Sequence, residues 1–194
     1  MISAILLAAG ESRRMGSFKQ LLQFAGKTFV ESCIDSLLAS RVDEVVVVTG
    51  HRHRDVRNAI GSRPVRVVHN PDYEFGMSSS VKCGVEALPL DTQACLIALV
   101  DQPQMETGII NRVIEAYLEH LPLIVIPNYN GRNGHPIIID LSLRKEILKM
   151  DARQGLRQVV HAHPDRLLLV TVDSDTILID FDLPEDYERL SEKT

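Results

Sequence analysis

The chain has 194 residues, 45% hydrophobic and 24% charged, which is enough for the packed core of one α/β domain over residues 1–194. Its formal charge of −5 argues against a general nucleic-acid-binding protein, since such proteins are usually basic. Its three cysteines lack metal-knuckle spacing and its apolar runs fall far below the ~20 residues of a membrane span, so we expect a cytoplasmic protein with no membrane contact.

The first predicted strand is the apolar run at residues 2–8. It ends at Ala9-Gly10, whose small or absent side chains would let a ligand approach the backbone closely. The polar loop that follows carries three cations within ten residues: Arg13, Arg14 and Lys19. Main-chain N–H groups of such a loop can point at an anion, and the cations can neutralise several charges. This stretch therefore predicts a triphosphate site, although the same cations would also suit a solvated surface.

Strand and helix patterns alternate through the first half of the chain. Continuous β-branched or apolar runs predict strands at residues 45–50, 65–68 and 94–100. Apolar residues at helical spacing predict helices at residues 29–38, 55–60, 79–88 and 109–118. This alternation implies right-handed crossovers and a parallel sheet whose strand order begins 3-2-1-4.

Asp101 follows the fourth predicted strand. In a 3-2-1-4 sheet, ligands bind beyond the carboxyl ends of strands 1 and 4, so Asp101 should lie beside Gly10. A carboxylate next to a bound triphosphate is repelled unless a divalent cation lies between them, and Mg²⁺ commonly binds carboxylates and phosphate oxygens together. Asp101 is therefore a predicted magnesium ligand, the alternative being an aspartate that only forms a turn.

The second half of the chain predicts a change of strand direction. A strand at residues 123–127 and a polar turn with two glycines precede residues 137–139, which we expect to run antiparallel. A helix capped by Asp151, strands at 167–172 and 176–179, and a terminal helix starting at Pro184 follow. The prediction is a three-layer Rossmann-like α/β sandwich with a mostly parallel sheet and one antiparallel strand.

Several stretches together resemble the MobA-like NTP transferases, and in particular the branch that attaches a nucleotide to molybdopterin. The most specific is residues 7–19, which match the signature LAAGxSxRMGxxK. The others are NPxxxxGMSSS at 70–80, DQP at 101–103, GHP at 134–136 and a stretch like DIDTPEDY at 180–187.

The resemblance implies that CMP moves from CTP to molybdopterin or its molybdenum form, with release of pyrophosphate and Mg²⁺ as cofactor. A recipient molybdoenzyme is a further possible partner. The implied catalytic residues are Arg14, Lys19 and Asp101, and the implied metal ligands are Asp101 and Asp182. The implied nucleotide-binding residues are Leu7, Ala8, Ala9, Gly10, Arg14, Lys19, Ser79, Gln102 and Pro103, and the implied acceptor-binding residues are Gly134, His135 and Pro136.

Some alternatives stay open. Ala9, where guanylyl-transferring relatives tend to carry Gly, favours CTP over GTP together with Gln102. Leu183 replaces the family's threonine, so Asp182 could cap the last helix as well as bind metal. Ser79 could be only a helix cap, and His135 only a hydrogen-bonding support. A sugar-phosphate nucleotidyltransferase and a non-catalytic cofactor insertion chaperone are the rival functions.

Overall fold

A computed structural model describes residues 1–191. The strands are β1 (Ile2–Ala8), β2 (Gln23–Phe24), β3 (Lys27–Thr28), β4 (Glu44–Thr49), β5 (Arg66–His69), β6 (Ala94–Leu99), β7 (Ile124–Tyr129), β8 (Arg132–Asn133), β9 (Ile137–Asp140) and β10 (Leu167–Thr171). The helices are α1 (Phe29–Leu38), α2 (His53–Ile60), α3 (Met77–Ala87), α4 (Thr107–His120), α5 (Arg144–Lys149), α6 (Leu156–Ala162) and α7 (Pro184–Ser191).

The central sheet has the strand order β10-β7-β9-β6-β1-β4-β5. β1 pairs in parallel with β4 on one side and with β6 on the other, and β5 pairs with β4. The predicted 3-2-1-4 beginning is therefore confirmed. β9 is antiparallel to both β6 and β7, as predicted, and the short β8 adds a second antiparallel pairing with β7.

Apolar side chains cover both faces of the sheet, which produces three layers. All seven residues of β1 are buried, so its side chains alternate between two cores. Leu6 packs in the core that contains Phe29 of α1 and Ile110 of α4. Ile5 packs in the opposite core with Val81 of α3. No helix within residues 1–191 has the length and apolar composition that crossing a membrane requires.

Two local predictions were wrong. Residues 176–179 do not form a strand, because a 3₁₀ helix covers Asp175–Leu178 and Ser174 caps it by accepting a hydrogen bond from the Thr176 amide. Asp151 does not cap the penultimate helix, which begins only at Leu156. Its carboxylate instead accepts a hydrogen bond from the Arg153 amide at 2.6 Å and closes a turn before the helix.

Helix α3 packs closely against β1 because Gly84 carries no side chain. An alanine Cβ at this position would lie 2.6 Å from Cγ2 of Ile5 and 3.1 Å from Cγ2 of Val48. We expect Gly84→Ala to lower the free energy of unfolding by about 1–3 kcal/mol through overpacking. Denaturant unfolding measures this change.

Gly108 of α4 offers a matched control, since an added Cβ there would meet no atom within 4 Å. Gly108→Ala should leave stability unchanged or raise it by up to about 1 kcal/mol, because alanine favours the helix. If the two substitutions changed the free energy of unfolding equally, close packing at Gly84 would not be the cause of the loss in stability.

Candidate active site

The loop after β1 is held by the side chain of Gln20. This residue is buried, and its Nε2 donates hydrogen bonds to the carbonyl oxygens of Ala8 at 3.2 Å and Gly10 at 2.8 Å. The Ser12 hydroxyl donates to Oε1 of Gln20 at 3.3 Å and accepts from the Lys19 amide at 3.1 Å. One side chain thus fixes the turn at both ends. The sequence reasoning missed Gln20, and its only signal was a polar residue directly before two leucines.

An ionic cluster lies beyond the carboxyl ends of β1 and β6. The ammonium of Lys19 contacts Oδ1 of Asp182 and lies 3.4 Å from Oδ2 of Asp101. The Lys19 side chain is only 10% exposed. Arg14 approaches the same Asp182 from solvent, with its guanidinium 2.7 Å from Oδ2 and its side chain 72% exposed. Two of the predicted cations are therefore paired with the two predicted metal ligands.

The cluster shifts the two carboxylates in opposite directions. Burial raises the pKa of Asp101, Lys19 opposes this effect in part, and Asp180 and Asp182 raise it further. Burial would also raise the pKa of Asp182, but hydrogen bonds and charge from Lys19, and then Arg14, outweigh it and hold that pKa below its usual value. The pKa of Asp101 is therefore raised mainly by burial, and Lys19 is the neighbour that favours its ionised form.

The C-terminal segment brings Asp182 to this place. The Phe181 amide donates to the Asp101 carbonyl at 3.1 Å, and the Phe181 ring packs on Phe29 with centroids 5.4 Å apart. Asp186 accepts hydrogen bonds from the amides of Asp182 and Leu183 at 3.2 and 2.9 Å. Because Asp186 satisfies these amides, the Asp182 carboxylate is free to face Lys19 and Arg14.

A first cavity of about 370 Å³ opens over this cluster. It gathers the following residues predicted from the sequence: Leu7, Ala9, Gly10, Arg14, Lys19, Asp101 and Asp182. Within residues 1–191 its charged lining comprises four carboxylates and three cations: Glu11, Glu74, Asp101, Asp182, Arg13, Arg14 and Lys19. A polyanion in this cavity would therefore need charge beyond that of the protein's own cations.

Four predicted nucleotide-binding residues do not line the first cavity. Ala8 is fully buried in the core, and Pro103 is buried as well. Gln102 is also buried, and its Nε2 donates to the Ile177 carbonyl at 3.2 Å and to Asp180 at 2.7 Å. The Ser79 hydroxyl lies 2.8 Å from the carbonyl oxygens of Asp72 and Gly76 and braces the preceding loop, while the adjacent Ser80 lines the cavity.

A second cavity of about 1130 Å³ adjoins the first, and Met77 and Leu99 line both. Gly134 and His135 line this second cavity, while Pro136 is buried beside them. Burial lowers the pKa of His135, and Asp180 only partly opposes the shift, so the imidazole is neutral at neutral pH.

Two arginines that the sequence reasoning did not single out, Arg153 and Arg157, also line the second cavity. Within residues 1–191 neither guanidinium forms an ion pair, and both side chains are exposed. Planar guanidinium groups suit bidentate recognition of phosphate. Sequence alone does not distinguish them from surface arginines, because they face the cavity only through the fold of residues 151–157.

The carboxylates fit a divalent cation. Oδ1 of Asp101 is buried and has no hydrogen-bond partner within the described part of the chain, which leaves one oxygen available as a ligand. No group of three or more histidine, cysteine or acidic side chains within residues 1–191 could hold a metal alone. Two carboxylates together with ligand phosphate oxygens are what Mg²⁺ commonly uses.

A parallel sheet with a cavity of this kind at its switch point is the arrangement of Rossmann-like nucleotidyltransferases. The MobA-like NTP transferase domain matches residues 4–167, and the chain belongs to that family of nucleotidyltransferases. The resemblance inferred from the sequence is therefore confirmed.

Individual relatives carry different activities in their names. The molybdenum cofactor cytidylyltransferase of Escherichia coli (strain K12) is 26% identical over 193 residues, covering 99% of this chain and 96% of that protein. The nicotine blue oxidoreductase of Paenarthrobacter nicotinovorans is 31% identical over 199 residues, covering 97% and 96%.

Crystal structures of Rv0371c from Mycobacterium tuberculosis H37Rv share the fold across nearly the whole chain. One has a TM-score of 0.87 and 27% identity, covering 98% of this chain and 97% of that one. Another, in complex with manganese, has a TM-score of 0.84 and 25% identity, covering 100% and 99%. A structural neighbour in this fold is thus known with a divalent metal.

The hydrogen bonds of Gln20 generate a prediction. Gln20→Leu keeps a similar volume but leaves the carbonyls of Ala8 and Gly10 without their donor, so we expect the free energy of unfolding to fall by about 1–3 kcal/mol. The exposed Gln23 is the matched control, and Gln23→Leu should change it by less than about 0.5 kcal/mol. Denaturant unfolding compares them, and an equally small effect at both sites would contradict the bracing role of Gln20.

Proposed function

We propose that the protein transfers CMP from CTP to molybdopterin or its molybdenum form and releases pyrophosphate, with Mg²⁺ as cofactor. The observation that carries this proposal is the cluster of Lys19, Asp101 and Asp182 at the sheet's switch point, in the lining of a cavity of nucleotide size. An adjoining cavity is lined by two arginines that form no ion pair within residues 1–191. The E. coli relative's name supports the choice of nucleotide and acceptor.

The first cavity is proposed to hold the triphosphate. The backbone of the loop after β1, kept in place by Gln20, offers N–H groups to the phosphates. Arg14 is exposed and can turn from Asp182 to a phosphate oxygen. Ala9 lines the same cavity at the strand end, where its methyl group reduces the room for a base. This position favours the smaller cytosine over guanine.

Asp101 and Asp182 are the proposed magnesium ligands. The unpartnered Oδ1 of Asp101 supports this assignment, as does the excess of carboxylates over cations in the cavity lining. When bound, Mg²⁺ supplies a Lewis acid that polarises the phosphoryl oxygens. The protein's own contribution is to hold close to Lys19 two carboxylates that lie far apart in the sequence, one in the middle of the chain and one near its C-terminal end.

The second cavity is proposed to hold the acceptor. Arg153 and Arg157 would bind its anionic groups, and Gly134 and His135, which line the same cavity, would also contact it. An oxygen of the acceptor phosphate attacks the α-phosphorus of CTP, a new P–O bond forms, and the bond to the β-phosphate oxygen breaks. No protein nucleophile is required, so the residues act by aligning two anions and offsetting their charge.

Sequence identity alone does not select this chemistry, because a relative named as an oxidoreductase is 31% identical to the chain. The paired carboxylates with a buried lysine are the feature that favours nucleotidyl transfer, since they suit a metal–triphosphate complex. A sugar-phosphate acceptor or a GTP donor would use the same first cavity, so the test must separate these substrates.

The test measures pyrophosphate release with each of the four ribonucleoside triphosphates, with and without molybdopterin. We expect release to require CTP and molybdopterin together. Asp101→Asn, which removes the ligand charge but keeps the shape, should lower turnover by on the order of 10²–10³ at saturating Mg²⁺.

Asp173→Asn is the matched control, because the Asp173 side chain is 92% exposed and should not affect turnover. A preference for GTP, or release with a sugar phosphate in place of molybdopterin, would contradict the proposed substrates. Cofactor binding without pyrophosphate release would instead indicate a chaperone.

Arg157 provides a test of the acceptor cavity. Arg157→Ala should raise KM for the acceptor about ten- to a hundredfold, because a hydrogen bond to a charged group is worth about 1.5–3 kcal/mol, while KM for CTP should hardly change. Arg54→Ala is the control, since Arg54 is also exposed but does not line either cavity. Equal acceptor KM values for the two variants would remove Arg157 from the acceptor site.

A further inference from the structure

The ammonium of Lys19 lies between the two carboxylates that are proposed to bind metal. It contacts Oδ1 of Asp182 and lies 3.4 Å from Oδ2 of Asp101, and its side chain is 10% exposed. The backbone of Lys19 is fixed as well, because its amide donates to the Ser12 hydroxyl at 3.1 Å. The ammonium of Lys19 thus already balances part of the negative charge of the two carboxylates.

A divalent cation that uses both carboxylates has to compete with this ammonium. Like charges at such short range repel strongly, and the repulsion is screened little where the groups are buried. Bare metal ions therefore meet a pair of carboxylates whose charge is already matched by Lys19, and by Arg14 at Asp182.

A triphosphate changes this balance. Lys19 also lines the first cavity, together with Gly10 and Arg14, so phosphates bound there would offer its ammonium a new partner. When the ammonium turns to the phosphates, both carboxylates lose the one cation that they share. The partnerless Oδ1 of Asp101 is then joined by freed oxygens of Asp101 and Asp182.

We propose that Lys19 is a positioning residue that keeps the Asp101–Asp182 pair closed to divalent cations until a nucleoside triphosphate binds, so that metal and nucleotide enter together. The inference rests on the proposed function, because it requires these carboxylates to be the metal ligands. It adds a role for Lys19 before the nucleotide arrives, besides holding the triphosphate afterwards.

Arg14 is the matched comparison. It also pairs with Asp182, but it is 72% exposed and does not reach Asp101, so its removal leaves the bridging ammonium in place. Lys19→Met keeps the length of the side chain and removes the charge. Lys19→Arg keeps the charge and should preserve the exclusion of bare metal.

The experiment titrates Mn²⁺ into the nucleotide-free protein and follows free Mn²⁺ by electron paramagnetic resonance. We expect Lys19→Met to bind Mn²⁺ at least tenfold more tightly than wild type, and Arg14→Met and Lys19→Arg to stay within about threefold of wild type. Adding Asp101→Asn to Lys19→Met should abolish the gain, which locates the bound ion. Circular dichroism checks folding, and Lys19→Gln replaces Lys19→Met if the latter does not fold.

An unchanged Mn²⁺ affinity in the neutral Lys19 variants, or equal gains for Lys19→Met and Arg14→Met, would overturn the proposal. A gain that survives Asp101→Asn would also overturn it, because the ion would then bind elsewhere. These readouts need no acceptor or turnover, so they are independent of the transfer assay. If the wild-type protein catalysed the transfer and the neutral Lys19 variants bound Mn²⁺ no more tightly than wild type, the proposed function would stand. Only the proposed role of Lys19 would then be rejected.

Discussion

The buried ammonium of Lys19 connects parts of the chain that are far apart in sequence. Its two carboxylate partners follow it by 82 and 163 residues, one at the end of β6 and one before the last helix. Burying Lys19 and half-burying Asp101 and Asp182 carries a desolvation cost that their attraction offsets only in part. Apolar residues would join these segments at lower cost, so the charges favour a functional explanation for the cluster over a purely structural one.

Sheet geometry explains why the cluster forms where it does. β1 lies between β4 and β6 with all its residues buried, so its position is fixed on both faces and both edges. The chain builds outward from β1 in one direction through β4 and β5, and then returns to build in the other through β6. The loops after β1 and β6 consequently diverge to opposite faces and leave a crevice between them. The first cavity occupies this crevice, and the hydrogen bonds of Gln20 fix the loop after β1 that lines it.

Much of this arrangement could be predicted from the sequence, because its signals are local. Continuous apolar runs marked the strands, and helical spacing placed α1 at the bounds that the structure shows. The failures came from side chains competing for backbone groups. Residues 176–179 have strand-like composition, yet the carbonyl of Ile177 accepts bonds from the His135 amide and the Gln102 side chain instead of from a neighbouring strand.

The sequence could predict those parts of the candidate site in which a motif determines the course of the backbone. Residues 7–19 indicated the cavity lining on β1 and its loop, whereas the direction of each side chain depended on tertiary contacts. Gln102 follows Asp101 directly but turns to Asp180, and Ser79 turns to its own loop while Ser80 faces the cavity. The sequence does not show which way Arg153 and Arg157 point, so only the folded turn after α5 places them at the second cavity.

The two cavities differ in how their charge is balanced, and this difference bears on the order of events. In the first, Asp182 and Asp101 already engage Arg14 and Lys19, so a polyanion can bind these two cations only by displacing existing ion pairs. In the second, Arg153 and Arg157 have no such partners within residues 1–191, so an anion can bind them directly. The two cavities are adjacent, because Met77 and Leu99 line both of them. Under the proposed function, the acceptor would therefore bind the arginines without competition, whereas the nucleotide would have to displace the ion pairs of Arg14 and Lys19. Binding would then be coupled to a rearrangement of side chains in the first cavity and not in the second.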